Sequence, residues 1–173
     1  MWTSTALPRR ACHHARMHIP DLGRRGEGWV VLQVVVIVLI ALAGVPEPSW
    51  GGTVGAVTTG AGAALVVVGG LLALLGSKAL GPSFSPHPRP LDSARLVETG
   101  VYAHVRHPIY GGIILGAIGW GLFVASPLAL LLSIGLVVVF SLKSLREEAW
   151  LGERYPAYEE YRRRTRRFFP TIF

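Results

Sequence analysis

Three uncharged stretches organise the chain. Gly28 to Pro46 and Pro48 to Ser77 each carry one apolar run, and Pro108 to Leu142 continues for 35 residues without a charge. A helix of about 20 apolar residues crosses a ~30 Å hydrocarbon core, so each of the first two stretches fits one passage. The third would extend roughly 52 Å as one helix, too far for a single crossing. Its middle reads VASPLAL, and Ser126-Pro127 ends one helix and begins another. The pattern predicts an all-α integral membrane protein with four transmembrane helices, the last two a tight hairpin. The fourth helix then runs on into the cytosol. Beyond it, Tyr155, Tyr158, Tyr161 and Thr165 recur between charges, a spacing that predicts an amphipathic helix lying on the membrane or folding back over the preceding loop.

Composition and charge agree with this reading. The chain is 51% hydrophobic and 16% charged, with a mean hydropathy of +0.45, values of a membrane protein. Of its 17 Lys and Arg residues, five precede Trp29, four lie between Lys78 and Arg106, and eight follow from Lys143 onward. Four crossings put all three groups on one side, leaving only VPEPSW and ASP on the other. That asymmetry places both termini in the cytoplasm. The net charge of +7 reads as topology and as attraction to anionic lipid headgroups, and no nucleic-acid-binding motif accompanies it. Arg far outnumbers Lys in an Ala-, Gly- and Val-rich chain, which suggests a bacterial inner membrane. The single Cys12 excludes an internal disulfide.

The remaining segments offer packing and cover more than chemistry. His13, His14 and His18 sit in a basic tail with nothing to complete a site, so no metal is expected. ALAGV resembles a signal-cleavage sequence, but the charged region before it is long, and the segment reads as a retained helix. Gly55, Gly60, Gly62, Gly69 and Gly70 suit close helix packing, within the chain or against a second copy; oligomeric state is not legible. GAGAAL lacks the third glycine of a dinucleotide fingerprint and no strand precedes it. Residues 78–97 hold four prolines, so they are irregular chain beside the bilayer, covered by protein or by a water-filled cavity.

The candidate chemistry gathers in ETGVYAHVRHPIYGGIIL, Glu98 to Leu115. Pro108 fits the first position of the third span, with His107 as cap and Arg106 outside it. Unpaired N–H groups, an imidazole and a guanidinium together make an anion site. Gly111 and Gly112 would let a ligand approach the backbone, and Tyr102 and Tyr110 offer faces and hydroxyls on either side. The hairpin should return Glu147 and Glu148 to this level. Opposite poles facing each other suit a zwitterionic amino-acid ligand, with an ion pair between them as the plain alternative.

GVYAHVRHPIYGG, then Glu147-Glu148 after an apolar hairpin, then YPAYEEYRRRTRRFFP, resembles the isoprenylcysteine carboxyl methyltransferases and related phospholipid methyltransferases, over about residues 95–170. GWGLFVASPLALLL is similar to the hairpin of phosphatidylethanolamine N-methyltransferase, whereas the Arg-His-Pro run leans toward the isoprenylcysteine branch. The resemblance implies an integral membrane enzyme using S-adenosylmethionine, with 1–28 a cytosolic basic tail, 29–77 two N-terminal helices and 78–173 the catalytic region. It implies that Arg106, His107 and the Pro108 helix start hold the methionine carboxylate, that Glu147 or Glu148 holds the ammonium, and that Tyr102, Tyr110 and the Gly111 backbone flank the rest. His104 or Glu148 would serve as base for an amine acceptor, and Arg162 or Arg163 would bind an acidic one. The acceptor would be a lipophilic small molecule or a prenylated species, O-methylated on a carboxylate; phospholipid or amine N-methylation is the alternative. An NADPH-dependent sterol-type reductase and a non-catalytic scaffold are the other readings.

Overall fold

The computed structural model describes residues 20–44, 50–90 and 93–170. Expectations for the tail before Pro20, with its histidines and Cys12, and for the connection at 45–49 lie outside the described residues. Among those described the regular elements are helices, and an isolated bridge joins Val105 to Arg166. The helices are α1 (Glu27–Ala43), α2 (Gly52–Leu80), α3 (Pro108–Phe123), α4 (Pro127–Arg154) and α5 (Tyr158–Arg164). Short 3₁₀ turns occupy Gly81–Ser83 and Gly100–Ala103. α2 and α4 are long and apolar enough to cross a membrane, and α1 and α3 are shorter apolar helices. The fold is the expected all-α membrane architecture, its shortest apolar helix being the 16-residue α3, which rises ~24 Å.

The hairpin breaks where Ser126-Pro127 predicts. Ser126 caps α4, accepting the Ala129 N–H at 3.2 Å, and donates its hydroxyl to the Ala43 carbonyl at the end of α1, 2.9 Å away. One hydroxyl thus satisfies orphan groups of two helices and holds α1 against the turn.

α3 lies between α2 and α4, and α1 closes on α4. The α2–α3 contact rests on missing side chains. Gly55, Gly62, Gly69 and Gly76 are buried at seven-residue intervals along α2. A Cβ on Gly62 would stand 2.6 Å from the Gly119 carbonyl, and one on Gly119 2.7 Å from the Gly62 carbonyl. Gly69 and Gly112 meet in the same reciprocal way. In lipid, where burial of apolar surface drives little association, such backbone approach supplies the packing. The glycine-rich span is therefore occupied by α3 of its own chain, while Gly60 and Gly70 face open space. Ile40, Ile114, Leu136, Phe140 and Phe168 form the core beneath α1, α3 and α4. The outward apolar side chains, among them Val54, Val57, Val67 and Leu71 on α2, are exposed to where lipid would lie.

After α4 the chain folds back. The Arg106 N–H donates to the Arg166 carbonyl at 2.8 Å, the His107 N–H to the Arg167 carbonyl at 2.9 Å, and the Arg166 N–H to the His104 carbonyl at 3.0 Å. The buried Tyr161 of α5 donates its hydroxyl to the Tyr102 carbonyl at 2.8 Å. The C-terminal segment thus braces the entrance to α3, with its tyrosines turned inward.

Candidate functional site

The tight hairpin returns the C-terminal end of α4 to the start of α3. Arg106 Nε reaches Glu148 Oε1 at 3.0 Å across 42 residues of sequence. His107 Nε2 lies 3.2 Å from the same oxygen, Arg167 Nε 3.4 Å from it, and Arg162 Nε 3.7 Å from Glu148 Oε2. Four cationic or protonatable groups therefore converge on one buried carboxylate. Glu147 is oriented separately: Tyr110 donates its hydroxyl to Glu147 Oε2 at 2.7 Å, and His107 Nδ1 stands 3.8 Å from that oxygen. The His107 and Tyr110 rings stack at 5.3 Å, and Tyr110 in turn stacks on Phe140 at 4.6 Å.

Arg106, His107, Tyr110 and Glu147 border a cavity of ≈ 190 Å³. Its floor is Tyr102, His107, Ile109 and Tyr110 from the α3 entrance; its walls are Lys143, Glu147 and Leu151 of α4 with Tyr155, Tyr158 and Tyr161. Residues 83–88 of the proline-rich loop cover it, so the irregular chain beside the bilayer has the cavity beneath it, as expected. The cover is fastened at three points. Pro86 offers its carbonyl to Lys143 at 2.9 Å, Ala94 offers its carbonyl to the Tyr155 hydroxyl at 2.6 Å, and Pro88 packs on Gly26, where a Cβ would come 2.6 Å from its ring. Burial pushes the Tyr102, Tyr158 and Tyr161 phenols well above their usual pKa, so they remain protonated donors. The Tyr158 hydroxyl is buried and has no hydrogen-bond partner among the described residues.

A second hollow, ≈ 330 Å³ and almost wholly apolar, opens between α1, α2 and α3. Ile37, Ile40, Val66, Gly69, Ala117 and Trp120 line it. Ile113 borders both spaces, and Gln33 of the first lies one turn from Ile37 of the second.

The structure brings Arg106, His107, Tyr110, Glu147, Glu148 and Arg162 together and puts Tyr102 in the same cavity wall. Other expectations need correction. His104 is exposed and engaged through its carbonyl, because the 3₁₀ turn before it points its ring away from the cavity. Gly111 and Gly112 do not line this cavity: a Cβ at Gly111 would stand 2.7 Å from the Phe168 carbonyl, and one at Gly112, which borders the apolar hollow, 2.8 Å from the Ala73 amide. The His107 N–H at the helix start is taken by Arg167. Arg106 and Glu148 neutralise each other, and Arg106 Nη1 also donates to the Arg162 and Thr165 carbonyls, so the pair is a clamp between the α3 entrance and the C-terminal segment. Arg163 pairs with Glu159 on the outer face of α5. Lys143, Tyr158, Arg167 and Gln33 were not anticipated. Lys143 had one legible signal, its place one turn before Glu147 on the same helix face. Among the described residues no cluster of metal-ligating side chains occurs.

Sequence comparisons follow this geometry. The nickel-cobalt-cadmium resistance protein NccN of Alcaligenes xylosoxydans xylosoxydans is 33% identical over 81 residues, 46% of this chain and 38% of that protein. The cobalt-zinc-cadmium resistance protein CzcN of Cupriavidus metallidurans is 32% identical over 78 residues, 44% of this chain and 36% of that protein. The protein-S-isoprenylcysteine O-methyltransferase of Schizosaccharomyces pombe is 37% identical over 79 residues, 44% of this chain and 34% of that protein. The matched region thus spans little more than a third of each relative. The phospholipid methyltransferase family model matches residues 57–158, from the second turn of α2 to the first residue of α5, and takes in Gly62, Gly69 and Gly76 of the glycine seam, the hairpin, Arg106 to Tyr110 and the Glu147-Glu148 pair. By that match, over more than half of its length, the chain belongs to the phospholipid methyltransferase family.

Proposed function

We propose that this protein is a membrane S-adenosylmethionine-dependent methyltransferase that O-methylates the carboxylate of a lipophilic, isoprenylcysteine-like acceptor. The observation that carries the reading is the covered cavity, in which an oriented carboxylate, Glu147, and an unpartnered buried hydroxyl, Tyr158, share one wall system with aromatic faces. Those groups fit the donor's chemistry. Glu147 would take its ammonium, the Tyr158 hydroxyl and the remaining N–H groups of Arg106 its carboxylate, and the Tyr102 face its cationic sulfur region. His107 holds Glu147 and Glu148 apart and in place, and the proline-rich cover keeps water out. S-adenosylmethionine, when bound, supplies a methyl group on a positively charged sulfur that is electrophilic without further activation. An acceptor carboxylate is nucleophilic as it stands, so alignment is the main task left to the protein. Transfer would join the methyl group to a carboxylate oxygen and leave the donor's sulfur neutral, and it would ask no proton movement of the protein's side chains.

The apolar hollow next to the cavity supports a lipophilic acceptor, whose chain would lie against Ile37, Ile113 and Trp120. The phospholipid methyltransferase family match favours a second reading, N-methylation of a lipid amine, which needs a base; Glu147 is the group placed for it. The distribution of Lys and Arg supports an orientation with the cavity facing the cytoplasm of a bacterial inner membrane.

Calorimetry of the purified protein in nanodiscs tests the donor site. S-adenosylmethionine should bind and NADPH should not, and Glu147→Gln should weaken binding. A wild-type protein that takes up no S-adenosylmethionine refutes the proposal. Radiolabelled methyl transfer into extracted membranes, with base-labile methyl ester against base-stable methylamine as the readout, separates the two acceptor chemistries.

A further inference from the structure

Lys143 is fully buried, deeper in the membrane end of the cavity than Glu147 by one turn of α4. A buried ammonium is costly unless its charge and its three N–H groups are answered. Two of them are, by Gln33 Oε1 at 2.5 Å and the Pro86 carbonyl at 2.9 Å, both neutral acceptors. The Tyr110 ring centroid lies 5.0 Å from Nζ and favours the charged form. No carboxylate among the described residues forms an ion pair with it: Glu147 is held by Tyr110 and His107, and Glu148 by Arg106, His107, Arg162 and Arg167. Glu147, one turn along α4, acts on the ammonium through space without touching it. Gln33, the partner of Lys143, is one turn from Ile37, and Ile113 is shared between the cavity and the apolar hollow, so Lys143 lines the cavity on the side toward the hollow.

We infer that Lys143 is the residue that selects an anionic acceptor: its ammonium receives the acceptor's carboxylate at the point where the apolar chain leaves the membrane hollow and the head enters the cavity. The inference rests on the methyl-transfer reading and adds the acceptor's charge to it. Charge balance favours it. A methyl donor with sulfonium, ammonium and carboxylate carries one net positive charge into a cavity that already holds Lys143, and a lipophilic acid supplies the compensating negative charge. An amine acceptor would bring a like charge beside a fixed cation in a poorly hydrated site, which disfavours it. Methylation removes the acceptor's charge, so the ester loses its attraction to Lys143 and departs. Lys143 also draws electron density from the carboxylate it holds, so its contribution is to binding and selection, with the methyl–sulfur chemistry left to the donor.

The test uses full-length protein in nanodiscs and three probes: N-acetyl-S-farnesylcysteine, the same molecule with its carboxylate converted to a carboxamide, and dioleoylphosphatidylethanolamine. Acceptor binding is measured by calorimetry without donor, and donor binding is measured separately. Wild-type protein should bind the acid at least tenfold tighter than the carboxamide. Lys143→Met should erase that preference while donor affinity stays within about twofold, and Lys143→Arg should retain most of it. In turnover, the Met variant should lose acid methylation through KM more than through kcat. The inference is overturned if wild-type protein shows no preference for the acid, including no binding of either farnesyl probe. It is equally overturned if Lys143→Met keeps the preference, if donor and acid affinity fall together as a structural role requires, or if the phosphatidylethanolamine alone is methylated. Failure of the underlying reading shows in a different measurement, as absence of donor binding to the wild type.

Discussion

Along its membrane length α3 meets α2 through Gly112 and Gly119 set against Gly69 and Gly62, whereas at its N-terminal start it meets α4 and the C-terminal segment through Arg106, His107 and Tyr110. The first contact is close because side chains are missing and backbone touches backbone. The second is close because long polar side chains reach across and satisfy one another. Lipid accounts for the difference. In hydrocarbon, association gains from tight van der Waals fit and polar groups are expensive, while at the interface a charged cluster is tolerable if each member has a partner. The seam fixes where α3 stands, and the cluster fixes what its end presents to the cavity. A defect in the seam should therefore cost assembly, and a defect in the cluster should divide into structural and ligand-binding effects according to the residue changed.

The largest effect is expected at Glu148. Glu148→Ala leaves Arg106, His107, Arg162 and Arg167 facing one another without their common carboxylate, and the loss of one member of a buried ionic network costs about 3–5 kcal/mol. Denaturant titration in detergent should show it, together with protease cleavage of the released C-terminal segment. Unchanged stability would mean that the clamp does not hold that segment.

Next comes the seam, where neighbouring glycines provide an internal control. Gly69→Leu forces a side chain into the Gly112 carbonyl and the Gly116 amide, with overpacking costs of about 3 kcal/mol. Gly70→Leu points into open space and should change stability by no more than about 0.5 kcal/mol. Equal losses at the two positions would contradict the packing of α2 on α3.

Glu147 and Tyr158 test the ligand-facing side. Glu147→Gln keeps an acceptor for the Tyr110 hydroxyl, so the protein should fold, while donor affinity measured by calorimetry should fall about tenfold, near 1.4 kcal/mol. Tyr158→Phe removes a hydroxyl that bonds to nothing among the described residues, so thermal stability should hold or rise slightly. Its donor affinity should fall by about tenfold, because the hydroxyl would donate to a charged carboxylate. A Tyr158→Phe protein that is destabilised with intact donor binding would remove that hydroxyl from the proposed site.

Much of the fold was readable before any coordinates. Uncharged length predicted the apolar helices, and Ser126-Pro127 located the turn, because a serine cap followed by proline is a local instruction that no distant contact is needed to read. The meeting of Arg106 with Glu148 followed from the hairpin alone, since positions about equally far from the turn on two antiparallel helices must come level. The use made of that meeting did not follow. Whether Glu148 faces a ligand or is enclosed by three arginines and His107 depends on Arg162 and Arg167, and they arrive only when the C-terminal segment folds back on residues 104–107. Gly111 and Gly112 show the same limit. Their lack of side chains was plain in the sequence, but whether a ligand, a helix or a carbonyl fills the gap is a property of neighbours more than 30 residues away.

From the sequence alone came the membrane class, the number and order of apolar helices, the hairpin turn and the level at which the polar residues gather, because each depends on the hydrophobicity and hydrogen bonding of a few consecutive residues. Tertiary structure decided which of those polar residues consume one another and which still face the cavity, leaving Glu147, Tyr158 and Lys143 on its wall. The reason is that hydrogen-bonding and ionic capacity is limited: every N–H or carboxylate satisfied by a distant segment is withdrawn from any ligand, and only the packed chain determines which segments arrive.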